Sequence, residues 1–177
     1  MEYFLIGILV FSVLLVGGLV AAQSGVPPAP GREAPAFDLP DSEGRRHAMA
    51  SCRGRRAVVF FFPMDDTPEC LAVVAAYQAA QPRIEATGAR FLAVAVASPE
   101  AVKAYREAQA ITFPILADPS GRAARAWGTL TNFGFYKFAK KLAVVVDAGG
   151  RVERVWRDGV GPSHVDEVVA ALQEGAA

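Results

Sequence analysis

The sequence predicts an α/β domain, a central sheet with helices on both faces, preceded by one transmembrane helix. Three observations carry this. Short apolar runs sit within Ala57 to Phe62, Arg90 to Ala97 and Leu142 to Asp147, each of strand length and none with the polar alternation of a half-exposed strand. Helix-like stretches separate them, the pattern of strands joined by crossovers. Finally, Tyr3 to Ala22 carries no charge, and twenty residues at helical rise just cross a hydrocarbon core of about 30 Å.

The elements follow in order. Phe37 to Leu39 and Arg45 to Met49 flank Asp41-Ser42-Glu43-Gly44, which reads as a hairpin turn. Ala57 to Phe62 is a strand buried on both faces, and Thr67 to Ala86 a helix. Arg90 to Ala97 is a second buried strand, and Pro99 to Ala110 a helix with charges along it. Phe113 to Ala117 is short enough for an edge strand. Ser120 to Trp127 is a short helix with Gly128 as its C-cap. The third buried strand, Leu142 to Asp147, turns at Ala148-Gly149-Gly150 into a strand over Arg151 to Arg157. Ser163 to Glu174 closes the chain as an amphipathic helix.

At 177 residues the chain fits one domain with its own core. The apolar run divides it into a segment over 1–22, a Pro-rich tether over 23–35 that favours an extended spacer, and a domain over 36–177. Val20-Ala21-Ala22 has the spacing of a signal cleavage site, which would make the protein secreted or periplasmic. The run exceeds a usual signal core and no Lys or Arg precedes it, so the expectation is a membrane anchor of a single N-terminal helix. Arg32, Arg45 and Arg46 lean weakly towards a cytoplasmic domain, and the sidedness stays open.

Eighteen Lys+Arg balance eighteen Asp+Glu, so nucleic acid is not expected as the main partner. Cys52 and Cys70 are too few for a disulfide scaffold or a four-Cys zinc site, and they form no C-x-x-C pair. His47 and His164 have no acid or Cys at metal-ligand spacing. No Gly-rich phosphate loop or Ser/His/Asp arrangement stands out, and neither a metal nor a cofactor is expected.

The chemistry concentrates in Phe62-Pro63-Met64-Asp65-Asp66-Thr67-Pro68-Glu69-Cys70, which follows a buried strand and opens a helix. Thr67 is a good N-cap, Pro68 suits the first helical position and Glu69 favours the positive end of the dipole. These residues start a helix whatever the protein does. The same geometry puts Cys70 in the first turn, where unpaired backbone N–H groups stabilise a thiolate. α/β sheets place ligands at this end of a strand.

This stretch resembles the active-site segment of peroxiredoxins, the alkyl-hydroperoxide-reductase/thiol-specific-antioxidant family, of the bacterioferritin-comigratory-protein type. Pro63, Thr67 and Cys70 match the family motif P-x-x-x-T/S-x-x-C. Ala34 to Asp41 with Gly44 is similar to the family's opening. Phe113 to Pro119 with Gly121 and Ala126-Trp127-Gly128 is similar to its middle, and Val146-Asp147 with Gly150 to its last hairpin. The resemblance implies a thioredoxin-like fold of the peroxiredoxin type with a central mixed sheet. It implies a thiol-dependent peroxidase acting on hydrogen peroxide or organic hydroperoxides, with Cys70 as the attacking thiol. Thr67 would hydrogen-bond thiolate and peroxide, and Pro63 would shield the sulfur. The implied partners are the peroxide and a thiol reductant such as thioredoxin or a small thiol; the oligomer stays unknown.

Four departures from the family stand out. Its catalytic arginine is matched by Lys141, which keeps the charge without the rigid fork. Lys140 is expected on the opposite side of the strand. The polar residue after the Cys and the glutamate at the third position beyond it are Leu71 and Val73. The resolving cysteine often found five residues on is Ala75. Glu69 beside Cys70 would raise its pKa. These departures keep an alternative open, a membrane-tethered thioredoxin-fold accessory or interaction module with weak or no peroxidase activity. Cys52 precedes the strand that Cys70 follows, so a direct disulfide is not expected, and a surface or half-buried place is. Lys137, Lys140 and Lys141 interleave with Phe133, Phe135, Tyr136 and Phe138, as a loop and edge strand, a substrate pocket or a membrane contact.

Overall fold

The computed structural model describes residues 25–157 and 160–174. The anchor expected over 1–22 lies outside them. Among the described residues no helix is long and apolar enough to cross a membrane.

The centre is a five-stranded mixed sheet. Its strands are β3 (Ala57–Phe61), β4 (Arg90–Ala95), β5 (Ile115–Ala117), β8 (Leu142–Val146) and β9 (Val152–Trp156), in the order β5-β4-β3-β8-β9. β3 pairs parallel with β4, and β4 with β5, while β8 runs antiparallel to both β3 and β9. The apolar run of β3 is explained by its central place: Val58, Phe60 and Phe62 enter the core on one face, Ala57, Val59 and Phe61 the core on the other. Period-two side chains divide a wholly apolar strand between two cores.

The first core lies under α1 (Pro68–Ala86), α2 (Pro99–Ala108) and α4 (His164–Glu174). α1 turns Cys70, Val73, Val74, Tyr77, Ala80 and Ile84 inward, the i, i+3, i+4, i+7 stripe of a core-facing helix. The second core is closed by α3 (Arg122–Ala126), a 3₁₀ turn over Met49–Cys52 and the fully buried Trp127. The small hairpin β1 (Asp38–Pro40) and β2 (Arg46–Ala48) is held from within by Asp41. Its carboxylate accepts from the Glu43 and Arg45 N–H groups, from Arg45 Nε and from His47. Burial works to raise Asp41, but these hydrogen bonds outweigh it and hold the carboxyl well below the usual range.

Three features differ from the sequence-based reading. The stretch Thr129 to Lys141, read as a loop and edge strand, forms a separate antiparallel hairpin, β6 (Leu130–Asn132) with β7 (Lys137–Ala139). Part of the Pro-rich stretch is attached to the sheet: the Gly31 N–H donates to the Val152 carbonyl, and the Ala34 N–H to that of Gly150. Ordered contacts therefore begin ahead of Ala36. Cys52 is 2% exposed rather than a surface residue, because the 3₁₀ turn folds it under β3.

Candidate active site

β3 delivers the chain to Pro63, and α1 begins at Pro68, so Pro63 to Thr67 is a loop at the carboxyl end of a central strand. Met64 takes φ of 55°, in the left-handed region that residues other than glycine rarely occupy. That residue lets the loop fold back so that Asp65 faces Cys70.

Thr67 is the N-cap of α1: its Oγ1 accepts from the Cys70 N–H at 3.3 Å and donates to Asp65 Oδ1 at 2.6 Å. A hydroxyl has one proton. In this structure it is committed to Asp65, not to the sulfur. Cys70 is 1% exposed, Met64 packs against the core cluster that holds it, and Pro63 at the start of the loop is half-buried.

Burial pushes the Cys70 thiol up. The Asp65 backbone N–H pulls it down by hydrogen bonding the thiolate, while the Asp65 carboxylate pushes it up again, and Lys141 lowers it. The acid acting on the thiol is thus Asp65. Glu69, expected in that role, is 89% exposed and reaches Lys141 Nζ at 4.0 Å. Helical geometry turns Glu69 outward while Cys70 points into the core.

Tyr105 was not anticipated. It comes from α2, and its phenol donates to the Asp65 carbonyl at 3.1 Å. Burial, together with the Cys70 thiol beside it, pushes the phenol up. The sequence holds a signal for it: with Val102, Tyr105 makes the i, i+3 apolar pair of an otherwise charged helix.

Lys141 stands immediately before β8 and faces the start of α1. A groove of about 650 Å³ opens there, lined by Glu69, Ala72, Lys140, Lys141, Arg157 and Val160 among others. Lys140 lines it too, contrary to the expectation that it points away, because strand alternation begins only at Leu142. The structure therefore brings Pro63, Thr67, Cys70 and Lys141 together. Cys52 is not brought in: it lies in the core on the opposite face of the sheet, and both thiols are free. Among the described residues no group of His, Cys, Asp and Glu could hold a metal.

The AhpC/TSA family model matches residues 30–155. A protein named as a peroxiredoxin in Mycobacterium tuberculosis H37Rv is 32% identical over 127 residues, 70% of this chain and 81% of that protein. Peroxiredoxin Bcp of Escherichia coli K12 is 26% identical over 147 residues, 81% of this chain and 94% of that one. Among solved structures, peroxiredoxin Q of Xanthomonas campestris superposes with a TM-score of 0.73 at 25% identity, covering 84% of this chain and 99% of that one. Peroxidoxin BcpB of Mycobacterium tuberculosis superposes at 0.76 with 19% identity, covering 84% and 98%, and shows the same fold. The matched segment holds the Cys70 loop and the sheet that positions it, and the chain belongs to the AhpC/TSA family.

Proposed function

We infer that the chain is a thiol-dependent peroxidase that reduces hydrogen peroxide or organic hydroperoxides through Cys70. The observation that carries this is the seat of the thiol. It lies in the first turn of a capped helix, receives the Asp65 N–H and sits in the field of Lys141. The relatives named as peroxiredoxins support the same reading.

The thiol first loses its proton to solvent. The thiolate then attacks the terminal peroxide oxygen: an S–O bond forms, the O–O bond breaks, and the leaving oxygen takes a proton and departs as water or alcohol. Cys70 is left as a sulfenic acid. A first reductant thiol condenses with it, releasing water, and a second frees Cys70 by disulfide exchange. The reductant comes from outside the domain, because Cys52 is on the far face of the sheet and position 75 is alanine. Thr67 swings its hydroxyl from Asp65 to the peroxide, Lys141 stabilises the thiolate, and Pro63 screens the sulfur.

The reading includes an anchor over Tyr3 to Ala22, supported by its length and lack of charge. The full chain should stay with membranes after alkaline carbonate washing. Recovery in the wash would oppose the anchor. For the activity, the full chain with a dithiol reductant should consume hydrogen peroxide or an organic hydroperoxide catalytically. No turnover with either peroxide would favour the accessory-module reading.

A further inference from the structure

The β6–β7 hairpin has no role in the chemistry above, yet it carries most of the large apolar side chains exposed among the described residues. Four large apolar side chains stand exposed among the described residues: Val26, Phe133, Phe135 and Tyr136. Three are at the hairpin's turn, where Phe135 is 95% exposed. The fourth is at the hairpin's root. An ideal Cβ on Gly128 would lie 2.3 Å from the Val26 carbonyl carbon and the Pro27 nitrogen, and Gly25 packs against Gly128 in turn. An exposed apolar cluster confined to one corner marks a contact surface.

The charge around it has one sign. From Thr129 to Lys141 the sequence holds Lys137, Lys140 and Lys141 and no acid. Lys137 and Lys140 are exposed. Phe138 lies 6.3 Å from Phe133 and 5.7 Å from Tyr136, centre to centre, so the ring cluster backs onto the hairpin itself. Aromatics with interleaved lysines suit the zone between acyl chains and anionic headgroups.

Chain connectivity adds an independent argument. Gly25, at the hairpin's root, is the point where the described chain begins. The uncharged run ends at Ala22, three residues earlier, which is at most about 11 Å of chain. The hairpin's turn begins at Phe133, five residues beyond Gly128, about 17 Å at strand rise. The end of the apolar run can therefore lie within about 6 Å of the level of the aromatic turn, the depth of a headgroup layer.

We propose that the β6–β7 hairpin docks on a lipid bilayer, with Phe133, Phe135 and Tyr136 at headgroup depth and Lys137 and Lys140 against anionic lipid phosphates. Because Lys141 follows the root of this hairpin directly, docking holds the start of α1, and with it Cys70, about one hairpin's length from the bilayer surface. The docking stands whether or not Cys70 reduces peroxides.

The test uses the full chain with Phe135→Trp, reconstituted in vesicles of phosphatidylcholine and phosphatidylglycerol. Position 135 is exposed, so the substitution leaves the core unchanged. The unsubstituted chain, with Trp127 and Trp156, supplies the background to subtract. The added emission should shift to the blue and be quenched by lipids brominated near the glycerol end, more than by lipids brominated at the chain end. Replacing phosphatidylglycerol by phosphatidylcholine should weaken the quenching. Emission at the water position without bromine quenching would overturn the proposal. A blue shift without bromine quenching that fades on dilution of the protein in lipid would also overturn it, and would assign the surface to a second copy of the chain.

Discussion

Cys70 and Cys52 occupy two corners of one sheet and look alike by the usual measures. Both are free and almost fully buried, and burial pushes both thiols up. Cys52 even has the more cationic surroundings: Arg90 and Arg55 lower it, whereas Cys70 has Lys141 opposed by the Asp65 carboxylate. Counting neighbouring charges would choose Cys52. The difference lies in the backbone. Cys70 sits at a helix start and receives the Asp65 N–H of the loop before it, while Cys52 ends a 3₁₀ turn of four residues. Fixed amide dipoles at a helix N-terminus stabilise a developing anion without reorganising.

The largest expected effect breaks the symmetry outright. Cys70→Ser should abolish catalytic peroxide consumption, and Cys52→Ser should leave it close to that of the unsubstituted chain. Sulfenic acid should still be trapped at Cys70 in the Cys52→Ser protein. Its loss there would show that the two thiols cooperate.

Next comes the acid that faces only one of them. Asp65→Asn removes a charge that raises the Cys70 thiol while keeping an acceptor for Thr67. The pH profile of Cys70 oxidation should move to lower pH. Cys52 alkylation should not move. In the unsubstituted chain, the raised Cys70 thiol means that oxidation keeps quickening as pH rises through and beyond the ordinary thiol range. The linked stability has the matching sign. It is fully present below the unfolded thiol's pKa and is lost as pH rises through the folded one.

Lys141 should act in the opposite direction from Asp65. Lys141→Ala should raise the Cys70 pKa and slow oxidation several-fold, and Lys141→Arg should preserve or improve it through a forked donor. Stopped-flow oxidation across pH separates the two substitutions. The smallest effect belongs to Glu69→Gln. Its contact with Lys141 is 4.0 Å and solvent-exposed, so the profile should barely move. A larger shift would return Glu69 to the role that Asp65 holds here.

The sheet was legible because each central strand is a short apolar run between strong helix signals. Thr67-Pro68-Glu69 announced the helix start to the residue. The β6–β7 hairpin was not legible, because its strands of three residues show no period and no polar turn cluster like Asp41 to Gly44 marks its bend. Within the site, Thr67 and Cys70 are local in sequence and were read from the helix-start pattern, and Pro63 from the family resemblance. Asp65 was overlooked because its approach depends on the left-handed backbone at Met64, a conformation that no side chain there advertises. Tyr105 reaches Asp65 from 40 residues further along the chain, a contact set by how α2 packs rather than by spacing.

The central claim is that peroxide attacks Cys70 and not Cys52. Its most direct test is the rate at which each thiol of the full chain is oxidised by hydrogen peroxide, with sulfenic acid trapped and assigned to its residue by mass spectrometry, beside a free small thiol at a pH high enough to ionise both. The account predicts that the trap appears at Cys70, forms faster than on the free thiol and is absent from Cys52. Trapping at Cys52, or oxidation of Cys70 no faster than the free thiol, would contradict it.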